Sequence, residues 1–291
     1  MAIYNLGSIN ADNVYRVPHL VGPGETLAAY AFSQGLGGKG ANMSVAAARA
    51  AARVVHIGAV GADGRWASDR LMEYGVDTRH INQVAETTGH ANICVDASGE
   101  NSIVLYPGAN RSVPRKSIAA ALSEASPGDS FVTQNETNDQ EFGASTAKDL
   151  GLRVIYAAAP FDAEAVRKVM PYLDLLVLNE VEASQLVQET GTNLQDLPVS
   201  DVVVTRGGAG CNWISKAAVQ PQHFPALDVV PVDTTGAGDT FTGYLVAGLD
   251  RRMPMAQAID LATRAAALMV TRIGTADVIP DLKEIQDQRL S

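Results

Sequence analysis

The chain has 291 residues and a formal charge of −10, which weighs against a nucleic-acid-binding or anionic-membrane surface and leaves any anionic ligand to be held by local groups. Its length allows one α/β domain with an insertion. An aromatic content of 5% beside abundant Ala and Gly suits close helix-on-sheet packing better than a β-sandwich. Cys94 and Cys211 lie far apart in segments of different kind, so neither a disulfide framework nor a metal cluster is indicated. The N-terminal residues carry no basic n-region, and no apolar run approaches the ~18 residues of a membrane span; a cytoplasmic protein is expected.

A first strand is predicted over residues 3–6. It runs into Gly7-Ser8-Ile9-Asn10-Ala11-Asp12, where Asn10 and Asp12, two apart on an extended segment, point to the same side. An amide beside a carboxylate can grip neighbouring hydroxyls of a polyol, although both residue types also favour strand exits as turn formers. Residues 14–17 and 26–32 read as short strands around a turn at Gly22-Pro23-Gly24-Glu25. Gly35-Leu36-Gly37-Gly38-Lys39-Gly40-Ala41-Asn42 then opens an alanine-rich helix that reaches about Ala52. Residues 35–40 match G-x-G-x-x-G formally. They follow a hairpin instead of the first strand, however, and Lys39 is not followed by Ser or Thr, so neither a dinucleotide fingerprint nor a Walker A loop is in its usual context. What remains is a Gly-rich approach site with a cation and an amide, Lys39 and Asn42, at a helix start.

Residues 54–60 form a buried strand whose His56 is read as structural. Gly61-Ala62-Asp63-Gly64 turns into a helix around 66–74, with Asp63 read as capping that helix in preference to touching a substrate. Residues 91–95 and 102–106 are strands around Ser98-Gly99-Glu100-Asn101. With 14–17 and 26–32 they would make a small four-stranded sheet, an excursion from the main domain that reads as a lid over the Gly-rich site. From Asp129 the pattern is regular: strands 130–133, 153–157, 175–178 and 202–205, with helices at 141–150 and 163–170. Such alternation predicts a doubly wound, mostly parallel α/β sheet with helices on both faces and ligands at the carboxyl ends of its strands. One strand ends in Gln134-Asn135-Glu136. Another ends in Asn179-Glu180-Val181-Glu182, a capping box in all but the Ser/Thr, whose carboxylates could also hold the water shell of Mg²⁺. A third ends in Thr205-Arg206-Gly207-Gly208-Ala209-Gly210.

Residues 233–243, Asp-Thr-Thr-Gly-Ala-Gly-Asp-Thr-Phe-Thr-Gly, follow a strand-like run at 227–232 and precede an apolar helical run from Thr240. Gly236, Ala237 and Gly238 would then sit at a strand-to-helix turn whose bare N–H groups and helix dipole favour an anion. Asp239 at the helix start could take a proton from a hydroxyl beside that anion. An oxyanion cradle and a base on one turn suit phosphoryl transfer; an ordinary Gly-rich turn with Asp239 as N-cap is the plainer alternative.

Taken together and in this order, Gly7 to Asp12, Gly37 to Asn42, Asn179-x-x-Glu182, Thr205-x-Gly207-x-x-Gly210 and Asp233-Thr234-x-Gly236-Ala237-Gly238-Asp239 resemble the signatures of the ribokinase-like (phosphofructokinase B type) sugar kinases. The resemblance spans nearly the whole chain, 1–291, as one domain with lid strands within about 11–34 and 90–108; Gly99-Glu100-Asn101 and Gly108-Ala109-Asn110 look most like the ribokinase branch. It implies that Asp239 is the base and that Gly236, Ala237 and Gly238 form the anion hole. Asn10, Asp12, Gly38, Lys39, Asn42 and Glu136 would bind the sugar. Asn179 and Glu182 would organise Mg²⁺ and phosphates, while Thr205, Gly207, Gly208 and Gly210 would line the ATP site. A monovalent cation, K⁺, would involve Asp233, Thr235, Arg272 and Gly274. Where relatives read Gly-Ala-x-x-Ser, this chain has Gly274-Thr275-Ala276-Asp277-Val278, and Val278 could offer such an ion only its backbone carbonyl. The expected activity is ATP-dependent phosphorylation of a pentose primary hydroxyl, D-ribose foremost, by a homodimer joined through the lid sheet. The alternatives are a kinase of another furanose or a nucleoside, a dinucleotide-dependent oxidoreductase built on residues 35–40, and a catalytically dead sugar-binding regulator.

Overall fold

A computed structural model describes residues 1–287. From the N-terminus run β1 (Ala2–Leu6), β2 (Asn10–Arg16), β3 (Ala31–Gly37), α1 (Lys39–Arg49), β4 (Arg53–Val60), α2 (Arg65–Glu73) and β5 (Asp77–Gln83). Then come β6 (Gly89–Val95), β7 (Asn101–Tyr106) and α3 (Arg115–Leu122). The alternating part follows as β8 (Ser130–Gln134), α4 (Gln140–Asp149), β9 (Arg153–Ala157), α5 (Ala163–Val169), β10 (Leu175–Asn179), α6 (Glu180–Thr190) and β11 (Asp201–Thr205). A hairpin, β12 (Cys211–Ser215) and β13 (Gln222–Phe224), leads to α7 (Ala237–Asp250), α8 (Met255–Met269) and α9 (Leu282–Asp287).

Among the described residues the strands form two sheets. The larger has the order β13-β12-β11-β10-β9-β8-β1-β4-β5, parallel throughout except for the hairpin at one edge. β1 and β8 are buried along their whole length, as strands covered on both faces must be. Successive side chains of β1 alternate between two cores. Ile3 joins the core under α1, α7 and α8, whereas Tyr4 and Leu6 join that under α3, α4 and α5. Each large side chain buried this way contributes roughly 1.5–3 kcal/mol. The chain leaves β1 toward β4 on one side and comes back to β8 on the other, so the winding direction reverses between β1 and β8. A crevice outside the carboxyl ends of the strands at such a point is where open α/β sheets bind ligands. The smaller sheet, β3-β2-β6-β7, springs from that same place, because only residues 7–9 separate the end of β1 from the start of β2.

The four strands expected for the small sheet are present, but one is displaced. Residues 26–30 are irregular and the strand is Ala31–Gly37, pairing Arg16 with Ala31 at one end and Asn10 with Gly37 at the other. Gly35, Leu36 and Gly37 are therefore strand residues, paired with Asp12, Ala11 and Asn10 of β2. The strand-like run at 227–232 is likewise not a strand. Val230 and Val232 are exposed, Pro231 has no N–H to give, and the Val232 and Asp233 N–H groups donate to the Val270 carbonyl just past the end of α8. The turn at 236–238 thus joins an extended loop to α7, which begins at Ala237 and not Thr240. Asp63 does not cap α2: its Oδ1 accepts from Thr88 N at 3.0 Å and Thr88 Oγ1 at 2.8 Å, tying β6 to the exit of β4.

His56 is structural, as expected. It is fully buried, and burial lowers its pKa to about 4, so the ring is neutral at pH 7. Asn5 Nδ2 donates to Gly40 O and Ser44 Oγ (both 2.8 Å), Ser44 Oγ contacts His56 Nδ1 at 2.8 Å, and His56 Nε2 contacts Gly7 O at 3.0 Å. This buried chain clamps the exit of β1 against the start of α1. The two backbones cross so closely there that a Cβ on Gly40 would lie 2.3 Å from Gly7 Cα.

Candidate active site

The exit of β1, the start of α1, the exit of β8 and the start of α7 converge at the switch point. Asp239, in the first turn of α7, is 8% exposed, and its Oδ2 accepts from Asn42 Nδ2 at 2.9 Å. Burial raises its pKa, against the pull of the Lys39 ammonium and the Asn42 hydrogen bond. Lys39 is held protonated chiefly by Asp239, with Glu136 and Glu182 adding to it. Asp12 is pushed up to about 7 by burial and by the neighbouring charges of Glu136 and Asp239. The charges of Asp12, Lys39, Glu136 and Asp239 act on one another and Asn42 bonds Asp239, so the structure brings these five into one cluster, with Glu182 at its edge.

The Gly-rich approach makes room for it. A Cβ on Gly37 would fall 2.0 Å from Asp12 Oδ2, and Gly38, at φ 92°, packs on Ser8 O and Asn10 N. Glu136 is held by two donors: Ser8 Oγ, and Lys39 N at 3.1 Å. Ser8 Oγ in turn accepts from Gly40 N at 3.1 Å. Asn10 Oδ1 accepts from Asn110 Nδ2 at 2.7 Å. Ser8 has no assigned role in the sequence motifs and Asn110 only a family resemblance. Their signal is position, one beside the Gly7 crossing and the other just after the small sheet.

At the start of α7, Gly236 adopts φ 75° and Ala237 N donates to Thr234 O at 3.2 Å. Among the described residues the N–H groups of Gly236, Gly238 and Asp239 have no partner, and a Cβ on Gly238 would meet only open space. The helix start is thus a bare donor array, with one donor of the expected three, that of Ala237, already engaged. Beyond it lies a groove of about 380 Å³ lined by Thr205, Gly207, Gly208, Gly210 and the apolar side chains of Leu227, Val229 and Phe241, with Ala266, Ala267 and Val270 from α8. Phe241 apart, which belongs to the 233–243 stretch, the apolar walls were not legible in the sequence, because they come from an irregular loop and a helix remote from every motif. Gly210 is needed for another reason, since its Cβ would strike Phe224 O at 2.0 Å.

Asn179 and Glu182 form a complete capping box: Asn179 Oδ1 accepts from Glu182 N (2.9 Å) and Glu182 Oε2 accepts from Asn179 N (2.8 Å). Burial raises the pKa of Glu182. Its Oε1 remains for a hydrated ion. No group of three or more metal-ligating side chains occurs among the described residues, so a Mg²⁺ ion here would be held largely through water and phosphate oxygens, which suits that ion. Asp233 Oδ1 accepts from Thr235 N at 2.9 Å and Oδ2 from Gly274 N at 3.2 Å. Arg272 turns its guanidinium to the Val278 carbonyl (3.2 Å) and to Glu284 (2.8 Å). The backbone oxygen of Val278, the substitute expected for a missing hydroxyl, is therefore already engaged.

A polar cluster around a buried carboxylate, a bare helix start and an apolar groove beyond it are the parts of a small-molecule phosphotransferase. The chain belongs to the pfkB family of carbohydrate kinases, whose family model matches residues 3–282. It is 35% identical to a ribokinase of Haemophilus influenzae over 96% of this chain and 95% of that one. It is 31% identical to a deoxyribokinase of Salmonella typhi over 99% and 98% respectively. The solved structure of an Arabidopsis thaliana ribokinase complexed with ribose and ATP superimposes with a TM-score of 0.84 at 26% identity, covering 98% of each chain. The protein is thus a ribokinase-type sugar or nucleoside kinase. A dinucleotide-dependent oxidoreductase is set aside: three of the glycines and neighbours it needed for a phosphate turn lie in β3.

Proposed function

We propose that this enzyme transfers the terminal phosphoryl group of ATP to the primary hydroxyl of a pentose, D-ribose in the first place. The observation that carries it is Asp239, a buried carboxylate on the first turn of a helix whose N–H groups stand open, close enough to Asp12, Lys39 and Glu136 for their charges to act on one another. Asn10, Asp12, Gly38, Lys39, Asn42 and Glu136 hold the sugar. Asp239 accepts the proton of the hydroxyl as that oxygen attacks the terminal phosphorus and the bond to the departing ADP oxygen breaks. The backbone at Gly236, Ala237 and Gly238 receives the charge on the transferring group, and Lys39 balances it from the other side. For the Ala237 N–H to take part, its bond to Thr234 must give way when phosphate arrives.

The nucleotide lies in the apolar groove, with Thr205, Gly207, Gly208 and Gly210 along its wall. Asn179 and Glu182 would hold Mg²⁺, which supplies charge neutralisation on the phosphates. Asp233 and the carbonyls of Thr235, Arg272 and Gly274 would hold K⁺, which supplies loop geometry at the anion hole. The small sheet acts as a lid, residues 1–291 work as one domain, and ATP as donor fits work in the cytoplasm. The sheet also joins two copies into a homodimer: Phe32 on one edge strand, β3, and Ile103, Val104, Leu105 and Tyr106 on the other, β7, are all about half exposed or more, apolar side chains that the rest of the chain leaves uncovered.

ADP release with Mg²⁺-ATP and a panel of ribose, 2-deoxyribose, fructose and inosine tests this reading. Ribose should give the highest kcat/KM. A preference for inosine or for 2-deoxyribose replaces the sugar named here, and no release with any of them refutes the kinase assignment of the site. Light scattering on the purified protein should show a dimer.

A further inference from the structure

The orientation of Asn10 is set by a chain of hydrogen bonds that begins at the backbone. The Ile9 N–H can only donate, so the Asn110 atom 2.8 Å from it is its Oδ1. The other end of Asn110 is therefore its NH₂ group, which can only donate in turn. The Asn10 atom 2.7 Å from that group must then be Oδ1. Both amides are almost wholly buried, at 4% and 2% exposed, so neither can turn over without leaving a donor against a donor. Gly89 closes the arrangement: a Cβ there would lie 2.1 Å from Asn110 Nδ2 and 2.5 Å from Asn10 Oδ1.

The consequence is that Asn10 keeps only Nδ2 for the crevice, and among the described residues Nδ2 has no partner and is not sealed from solvent. Asp12, two residues along β2 on the same face, offers an acceptor. Side by side they present one donor and one acceptor.

We infer that Asn110 is a positioning residue for substrate selectivity, locking Asn10 as a hydrogen-bond donor so that the crevice takes a ring hydroxyl there and rejects a bare methylene. This rests on the sugar-kinase reading above and deepens it. A site built to bond a hydroxyl discriminates against the analogue lacking it, because its own polar group is then left unpaired. Asn110→Asp retains the acceptor for Ile9 N–H but places an acceptor opposite Asn10, which must turn its NH₂ inward and show its oxygen to the sugar.

Calorimetric binding of ribose, 2-deoxyribose and 3-deoxyribose without ATP reads this directly, in the wild type, Asn110→Asp, Asn110→Ala, and each combined with Asn10→Ala. The expected result is ribose binding weakened on the order of tenfold in Asn110→Asp and less in Asn110→Ala. The deoxy sugar lacking the hydroxyl that meets Asn10 should be unaffected, and both effects should vanish once Asn10 is Ala. Equal weakening for every sugar, or the same weakening in the Asn10→Ala background, would overturn the inference. Loss of the folding transition in both Asn110 variants would do so too, marking a purely structural residue. Binding without turnover in the wild type would count against the kinase reading alone, whereas no sugar binding at all would end both.

Discussion

Asn42 Nδ2 lies 2.9 Å from Asp239 Oδ2, joining the first turn of α1 to the first turn of α7. The contact steers the base and opposes the rise in its pKa that burial causes. Asp239→Asn keeps the shape and removes the proton acceptor, so kcat should fall by ~10²–10⁴ with sugar binding retained. Asn42→Ala should let the Asp239 pKa climb further, moving the acid limb of the kcat profile to higher pH. Rates measured between pH 5 and 9 check both, and near-normal turnover of Asp239→Asn would reduce that residue to a helix-start carboxylate.

Asp12 couples sugar binding to pH. With its pKa raised to about 7, an ionised Asp12 is available to accept from a sugar hydroxyl mainly above neutrality. Sugar KM should therefore rise as pH falls below about 7, and Asp12→Asn should lift KM about tenfold and flatten that dependence, leaving the KM for ATP little changed.

The same carboxyl strains the fold. Its folded pKa is raised above the unfolded value of 3.8, so its contribution to stability is fully present below that value and is lost as pH rises through about 7. The loss is at most about 4 kcal/mol. Thermal unfolding should show Asp12→Asn more stable than the wild type at pH 8 and no more stable at pH 4. Equal shifts at both pH values would mean that Asp12 titrates normally.

Two glycines three residues apart should fail in different ways. On Gly37 a new Cβ meets the movable end of Asp12, so Gly37→Ala should raise sugar KM and spare the fold. On Gly40 it meets the Gly7 Cα and Ser8 N, both backbone at 2.3 Å, so Gly40→Ala should cost about 1–3 kcal/mol or more and lower Tm by about 2–4 °C for each. Kinetics and melting curves of the pair separate the two outcomes.

K⁺ should activate only moderately. Asp233 already holds the loop through Thr235 N and Gly274 N, and the Val278 carbonyl is taken by Arg272. Rates in Na⁺, K⁺ and Cs⁺ at equal ionic strength should differ by a small factor in favour of K⁺. Identical rates would mean that protein contacts alone shape the turn.

Much of this protein is legible from local order. The run from Gly7 to Asp12, the Gly-rich opening of α1 and the stretch from Asp233 to Asp239 carry their own backbone needs, since glycine, capping residues and strand exits act over a few residues. The alternation after Asp129 likewise shows in hydrophobic period, and the capping box at Asn179 and Glu182 follows from spacing alone. What only the tertiary structure decided depends on who lies opposite whom. The strand ending at Gly37 took its register from β2, against the local pattern at 26–32. The run at 227–232 looked like a strand yet found no partner, and instead walled the groove with α8. The pairings of Ser8 with Glu136, Asn110 with Asn10 and Asn42 with Asp239 span 128, 100 and 197 residues. No local propensity encodes such contacts; they exist because the sheet reverses at β1 and β8 and folds four chain segments onto one crevice.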